Sequence, residues 1–458
     1  MTGKRAIIRD LTAGSVPKTL LNFAFPLFMS GLLQMVYNMV DMIVVGQMVG
    51  TRGLSAVSIG GEMMMLITFV AMGFSNAGQI LISRYVGEKR HDLIGEMVAT
   101  LFTLLMSAAL VIMALFFLTY QDIMGWLNTP RSIWDYTSDY VITCICGTVF
   151  IYGYNLVSAI LRGMGDSKHP FIFIALASVI NVILDLLFVG PLNMGPLGAA
   201  LATVIGQAVS FLFALRLLYK NRDQIRFDFK PRHFRISRNV IRPLMSLGIP
   251  MVIQSAAITF SMLFVNSYIN SYGEVSIAVT GIARKLENMI SIVAQAISAA
   301  GGAMVSQALG ANKKERVPKV FFHALWIVAI PSAVFAVITF FRPELLFGIF
   351  TQDSEVLEMV LEMYIPVAMI QYLGCILRPP SFAMINGSGN SRMNLAVALL
   401  DGVACRIGLS VLLGITFAWG ITGFWYGNAI SGCVPFLVGL TYLLSGRWKL
   451  QSSNRRTT

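Results

Sequence analysis

The sequence predicts an all-α integral membrane protein of about twelve transmembrane helices, in two six-helix lobes that are parallel internal repeats around a central cavity. The first observation is composition. Of the 458 residues, 56% are hydrophobic and 12% charged, whereas about a quarter of the residues in soluble domains are charged. The second is that apolar runs long enough to cross ~30 Å of hydrocarbon recur along the whole chain. The third is a repeat with an offset of about 224 residues.

The apolar runs define the spans. Each is long enough for a membrane helix, and polar or basic segments separate them. We predict twelve spans, near 18–46, 54–83, 94–118, 134–161, 170–189, 196–219, 240–269, 276–308, 320–341, 356–386, 393–414 and 419–444.

The basic residues predict the orientation. With the N-terminus placed inside, 27 of the 34 Lys and Arg residues fall on the cytoplasmic side, four lie within spans and three lie in external loops (Arg52, Arg131, Arg342). Basic residues concentrate in cytoplasmic loops of membrane proteins, so both termini are expected in the cytoplasm. The basic segment 220–239 is then a cytoplasmic connector. We expect it to face anionic lipid headgroups and not nucleic acid.

The repeat divides the chain into an N-terminal lobe (1–219), the connector (220–239) and a C-terminal lobe (240–458). Both halves have six spans in the same orientation, so the repeats are parallel. Transporters use this architecture to rock two lobes about a cavity. The alignment superposes Pro26 on Pro250, Gly87 on Gly310 and Gly165 on Gly389.

A proline lies inside the first helix of each lobe, at Pro26 and Pro250. Proline removes a backbone hydrogen bond and bends a helix, which membrane helices tolerate as a kink or a hinge. The sequence leaves open whether these two residues shape packing or permit motion.

Asp41 stands in an otherwise apolar span. A carboxylate at the centre of a membrane helix costs roughly 2.5–3.5 kcal/mol, so such a residue usually has a function. Gln34, Asn38 and Asp41 are spaced i, i+4, i+7, which predicts one helical face. In the repeat, Asp41 maps to Val265, so the second lobe lacks this acid.

The fifth span has the same pattern, with Ser178, Asn181 and Asp185 on one face. Thr203 and Asn155 add polar groups on neighbouring spans. Two carboxylates in a poorly hydrated pocket cannot both ionise easily, which favours proton binding. Carboxylate, amide and hydroxyl oxygens also suit an alkali cation, so Na⁺ at Asp41, Asn181, Asp185 and Thr203 is the alternative. A network that only holds the lobe together would use the same residues.

The second lobe has charges of mixed sign: Arg284 with Glu287, and Asp401 with Arg406. Groups of opposite charge at similar depth predict mutual neutralisation and a structural role. Participation of Glu287 and Asp401 in coupling stays open.

These residues carry a resemblance to the multidrug and toxic compound extrusion (MATE) family, over nearly the whole chain. It rests on the twelve spans, the two lobes, the proline-bearing first helix with Asp41 and the turn RGMGDSKHP (162–170). The resemblance implies export of organic, often cationic, compounds in exchange for H⁺ or Na⁺. In the prokaryotic DinF-like branch the implied cation pocket is Asp41, Asn155, Asn181, Asp185 and Thr203. Candidates for the substrate cavity or gating are Pro26, Gln34, Tyr37, Asn38, Pro250, Gln254, Arg284, Glu287 and Asp401.

A drug antiporter in a prokaryotic cytoplasmic membrane is therefore the leading hypothesis. A flippase for a lipid-linked oligosaccharide is the nearest alternative, and a membrane-embedded enzyme is an alternative from another class. No histidine cluster or nucleophile motif supports an enzyme. We expect a monomer with no enzymatic activity and no cofactor besides the coupling ion H⁺ or Na⁺. The expected partners are small organic cations and membrane lipids, without nucleic acid.

Overall fold

A computed structural model describes residues 7–449, which are mostly helical and contain no β-strand. Eleven helices are long and apolar enough to cross a membrane, and a bent pair makes the twelfth span. The predicted fold class is therefore confirmed. The spans are α1 Val16–Met48, α2 Thr51–Gly87, α3 His91–Trp126, α4 Arg131–Cys146 with Thr148–Gly163, α5 Lys168–Phe188, α6 Gly195–Lys220, α7 Arg238–Asn270, α8 Glu274–Gly310, α9 Arg316–Phe341, α10 Ser354–Ser388, α11 Ser391–Thr416 and α12 Ile421–Leu444.

The bend in α4 was not predicted from the sequence. Its two parts meet at Gly147 and differ in direction by 48°. A Cβ atom on Gly147 would lie 2.4 Å from Cγ2 of Val204 on α6, so only glycine permits this close approach.

Short elements lie between and within the spans. The connector contains a helical turn and a 3₁₀ turn, and a short helix precedes α10. In α10 and α11 the helix widens to π geometry at three places. These elements are Arg222–Ile225, Pro231–His233 and Pro343–Phe347, and the π turns Val360–Tyr364, Ala398–Cys405 and Leu412–Thr416.

The backbone repeats at the offset seen in the sequence. Helices α1 and α7 have 33 residues each, and α2 and α8 have 37 each. Left-handed positions, which most residues avoid, also recur in pairs. The pairs are Gly50 and Gly273 (φ 84° and 101°), Lys89 and Asn312 (58° and 59°), Gly165 and Gly389 (86° and 70°), Asn193 and Ala418 (48° and 55°), and Gly195 and Gly420 (58° and 60°).

Contacts between residues divide the chain into two compact units. They are Met29–Gly248 with the segment that ends at Asp10, and Leu11–Phe28 with the chain from Ile249 onward. The chain thus passes from one unit to the other inside α1 and inside α7. Each passage lies within three residues of Pro26 or Pro250. The predicted lobe boundaries follow the sequence repeat, whereas the boundaries of the two units follow the contacts between residues.

The turn between α4 and α5 fixes the start of α5. Gly165 has φ 86°, and the Oδ1 atom of Asp166 accepts hydrogen bonds from the backbone N–H groups of Lys168 (3.1 Å) and His169 (3.3 Å). Burial alone would raise the pKa of Asp166, but hydrogen bonding to the His169 ring holds that pKa below its usual value. Asp166 therefore satisfies the free N–H groups at the start of the helix that carries Asn181 and Asp185.

Candidate functional site in the first unit

Close packing of α5 against α6 brings their polar residues to one level. Ser210 Oγ donates a hydrogen bond to the carbonyl oxygen of Phe173 at 2.7 Å. A Cβ atom on Gly206 would lie 3.1 Å from the carbonyl oxygen of Ala177, so the two backbones nearly touch. One turn further along both helices, Asn181 and Thr203 then face each other.

Asn181 joins α1 to α6. In the orientation that gives both ends of its amide a partner, the nitrogen donates to Asp41 Oδ1 at 2.9 Å and the oxygen accepts from Thr203 Oγ1 at 3.3 Å. Asp41 is 8% exposed and Asn181 is 2% exposed. The predicted grouping of Asp41, Asn181 and Thr203 is present in the structure.

Asp185 is fully buried, and neither of its carboxylate oxygens receives a hydrogen bond from an N–H or O–H group of the described residues. Its carboxyl group lies within hydrogen-bonding reach of the Asp41 carboxyl group. Two carboxylates this close repel each other unless a proton or a cation lies between them. Such a pair can take up a proton or a small cation.

Tyr37, not Gln34 or Asn38, continues the buried face of α1 from Asp41. Tyr37 is buried and its hydroxyl group lies beside the side chains of Gln34 and Gln207. Gln34 and Asn38 themselves are exposed. The residues at this i, i+4, i+7 spacing form a polar stripe on α1, but only Asp41 among them is buried.

An apolar cluster lies about one helical turn beyond the carboxylates. We call it the distal apolar cap. Its members come from α1, α2 and α6 and from the residue that follows α5, and sequence reasoning missed it. Its buried members are Val44, Val45, Val57, Val189 and Ala199.

Two predicted polar residues turn towards their own helices. The Asn155 amide nitrogen donates to the carbonyl oxygen of Ile151 at 2.9 Å, and Ser178 Oγ donates to that of Ile174 at 2.8 Å. The membership of Asn155 in the cation pocket stays a prediction.

The second unit holds a different buried cluster. Asp401 and Arg406 are almost completely buried, and their charged groups approach to 3.0 Å. Arg378 reaches the other Asp401 oxygen at 3.5 Å, and Arg406 also donates to Asn428. Asp401 and Arg406 thus pair as expected, and Arg378 is a partner that sequence reasoning missed.

Glu287 has a partner other than the expected one. It accepts a hydrogen bond from Gln371 Nε2, and Gln371 Oε1 accepts from the Tyr364 hydroxyl at 2.9 Å. Among the described residues, Arg284 forms no ion pair with Glu287. A cavity of about 20 Å³ adjoins Glu287, which is room for a single water molecule. Gln254 is buried with its Nε2 atom unpartnered among the described residues.

The MatE family profile matches residues 26–187 and 250–415, once in each repeat. The chain belongs to the MATE family. The relatives and solved structures that carry this family are membrane transporters and not enzymes.

Named relatives agree with the MATE assignment. The chain is 29% identical to the probable multidrug resistance protein YpnP of Bacillus subtilis, over 67% of this chain and 68% of YpnP. It is 23% identical to the probable multidrug resistance protein NorM of Thermotoga maritima, over 95% and 93% of the two chains. A solved outward-facing multidrug resistance MATE transporter superposes over the full length of both chains with a TM-score of 0.87 and 22% identity, which shows the MATE fold.

Proposed function

We propose that this MATE protein exports small organic compounds, cations among them, in exchange for protons across a prokaryotic cytoplasmic membrane. The observation that carries the proposal is Asp185, which is fully buried without a hydrogen-bond donor and within reach of Asp41. A shared proton converts the two repelling carboxylates into a hydrogen-bonded pair. The names of the relatives support drugs as the substrate class.

We place the proton first among the coupling ions because of the Asn181 amide. In the orientation that gives both ends of this amide a partner, its N–H group donates to Asp41, and an N–H group cannot bind a metal ion. Rotating the amide by half a turn would present its oxygen to Asp41 and let its nitrogen donate to Thr203 at 3.3 Å. Asp41, Asn181, Asp185 and Thr203 would then offer oxygen ligands to Na⁺, which is the second candidate.

Exchange follows from the charge of the pair. Uptake of one proton lowers the charge of the pair from −2 to −1, weakens the attraction for a cationic substrate and replaces the repulsion between Asp41 and Asp185 with a hydrogen bond. Loss of the proton on the other side of the membrane restores the attraction for the substrate and the repulsion within the pair. The ion drives the cycle only through its different affinity for the two states of the transporter. The distal apolar cap lies next to the pair, and charges interact more strongly in such poorly hydrated surroundings.

The substitution Asp41→Asn tests the proposal, because asparagine keeps the size of the side chain but cannot titrate. We expect ethidium efflux from energised vesicles to slow at least tenfold at matched protein levels. Glu62→Gln, which alters an exposed acid on α2, is the matched control and should keep the wild-type rate. Wild-type efflux from Asp41→Asn would refute the proposal.

Two additions to the same assay sharpen the result. A proton uncoupler should abolish efflux if H⁺ is exchanged, whereas removal of Na⁺ should abolish it if Na⁺ is. Adding Val265→Asp to Asp41→Asn should not restore efflux, because the repeat places Cys405 and Leu409 where the first lobe has Asn181 and Asp185.

We also propose that both termini are cytoplasmic, because most of the basic residues lie on that side in the predicted topology. A reporter enzyme fused after Thr458 should then be active only in the cytoplasm. A signal from outside the membrane would reverse the orientation of every helix.

A further inference from the structure

The connector between α6 and α7 is a folded cap and not a loose basic linker. Phe227, Phe229 and Phe234 pack edge to face with ring centroids 4.7–6.3 Å apart, and Phe102 of α3 joins them at 5.8–6.0 Å. Such aromatic pairs each add about 0.5–1.5 kcal/mol beyond the area they bury. The aromatic cluster therefore holds the connector against the start of α3.

Polar contacts fix the same segment at its other end. The Ser237 backbone N–H donates to Thr100 Oγ1 at 3.0 Å, and the side chains of Ser237 and Asn239 both donate to Glu96. A Cβ atom on Gly95 would lie 2.5 Å from the carbonyl oxygen of Arg226, so the connector backbone lies directly on α3. These contacts hold the connector and α3 in place on either side of a space between them.

That space is a cavity of about 700 Å³, large enough for a lipid headgroup or a nucleotide. Both signs of charge line it, and three of its four acids have a basic partner. The fourth, Glu96, accepts the two hydrogen bonds above from neutral side chains, which do not cancel its charge. Asp228 accepts from the His233 ring and lies 3.1 Å from Lys230, and these contacts, the His233 hydrogen bond first, hold the pKa of Asp228 below its usual range. Asp92 and Asp223 each have an adjacent arginine within 4.0 Å.

Three arginines that line the cavity differ from these acids. Arg226, Arg235 and Arg238 are exposed, and among the described residues none of them has a carboxylate within 4.0 Å. The guanidinium group presents a planar fork of N–H donors that matches phosphate oxygens in pairs. Within the described part of the chain, the three unpaired guanidinium groups on the cavity wall therefore outnumber the one lining acid, Glu96, that has no basic partner.

We propose that this cavity binds a phosphate group, carried either by an anionic phospholipid or by a soluble phosphate compound. The cavity lies at the start of α3, on the side of the protein where the basic residues concentrate. In the predicted topology this is the level of the cytoplasmic lipid headgroups. The carboxylate pair on α1 and α5 plays no part in it. The proposal is therefore independent of the transport mechanism.

Purified protein in detergent allows a direct test through its apparent Tm. Dihexanoyl phosphatidylglycerol, added below its micellar concentration, should raise the Tm saturably, and dihexanoyl phosphatidylcholine should not. In a separate arm, inorganic phosphate is compared with chloride at equal ionic strength. A response to phosphatidylglycerol alone identifies a lipid site, and a response to inorganic phosphate identifies a site open to soluble phosphates.

The double variant Arg235→Gln/Arg238→Gln ties the response to the cavity. Each arginine near an anionic surface contributes about 1 kcal/mol, so losing two should weaken the response about thirtyfold. Both side chains are exposed, so the variant should fold, and its Tm without ligand verifies that. Arg232→Gln, an exposed connector arginine outside the cavity lining, is the matched control and should respond like wild type. No saturable shift in either arm, equal shifts with both lipids, or an unchanged response in the double variant would overturn the proposal.

Discussion

The two halves of the chain share a backbone but give their buried aspartates opposite surroundings. Asp185 has no hydrogen-bond donor and lies beside a second carboxyl group, whereas Asp401 lies between the guanidinium groups of Arg406 and Arg378. The first arrangement leaves the acid pair without a basic partner among the described residues, whereas the second neutralises its carboxylate within the protein. A duplicated helical frame can thus hold an acid pair without a basic partner in one copy and a fixed ion cluster in the other.

The largest difference should appear in stability when each charge is removed. Asp401→Asn leaves two buried or partly buried guanidinium groups without their counter-ion, and breaking a buried ion pair costs about 3–5 kcal/mol. Asp185→Asn removes a repulsion and supplies an N–H donor to Asp41, so it should not lower stability. Apparent Tm values of the two purified variants check this. Equal losses would show that Asp185, like Asp401, is held by permanent partners.

For transport, we expect the larger loss from a substitution in the first unit and the smaller loss from one in the second unit. Asp185→Asn should lower ethidium efflux at least tenfold, because the pair can no longer take up and release a proton. Glu287→Gln should keep efflux within about twofold, since its carboxylate accepts only a neutral hydrogen bond from Gln371 that glutamine can also accept. The assay compares both variants at matched protein levels. A stable Glu287→Gln protein without transport would move the coupling site to the second unit.

The smallest effect concerns a backbone position at which the halves differ. Asn193 and Ala418 occupy the same left-handed conformation, φ 48° and 55°, and both are exposed. Asparagine adopts this conformation readily, whereas alanine adopts it at a cost of about 1 kcal/mol. Ala418→Asn should therefore raise the Tm by a small amount, and Asn193→Ala should lower it. Changes of the same sign in both variants would contradict this explanation.

The sequence predicted the spans well because the length of an apolar run is a local property that the membrane thickness fixes. It predicted Asp41, Asn181, Asp185 and Thr203 as a group because an unpaired polar residue in such a run needs a partner. It missed the bend at Gly147, since that bend depends on Val204 of a distant helix.

The sequence also could not predict which residues of other helices partner a given side chain. Spacing along α8 suggested Arg284 for Glu287, but the acid accepts from Gln371 of α10. Spacing along α1 placed Gln34 and Asn38 with Asp41, but the neighbouring α6 decides which flank of the stripe turns inward, and it brings Gln207 beside Tyr37. Helical periodicity defines a stripe and does not say which neighbour covers it.

Helix α1 can act as a lever. Its first turns belong to the second unit and its remainder to the first, and Pro26 lies close to that passage. Asp41 stands 15 residues beyond Pro26 on a continuous helix, about 22 Å at ~1.5 Å per residue. A rotation of about 10° at Pro26 would therefore displace Asp41 by about 4 Å. That is more than the 2.9 Å between Asp41 and the Asn181 amide, so a small rotation at one proline is enough to break the hydrogen bond between them.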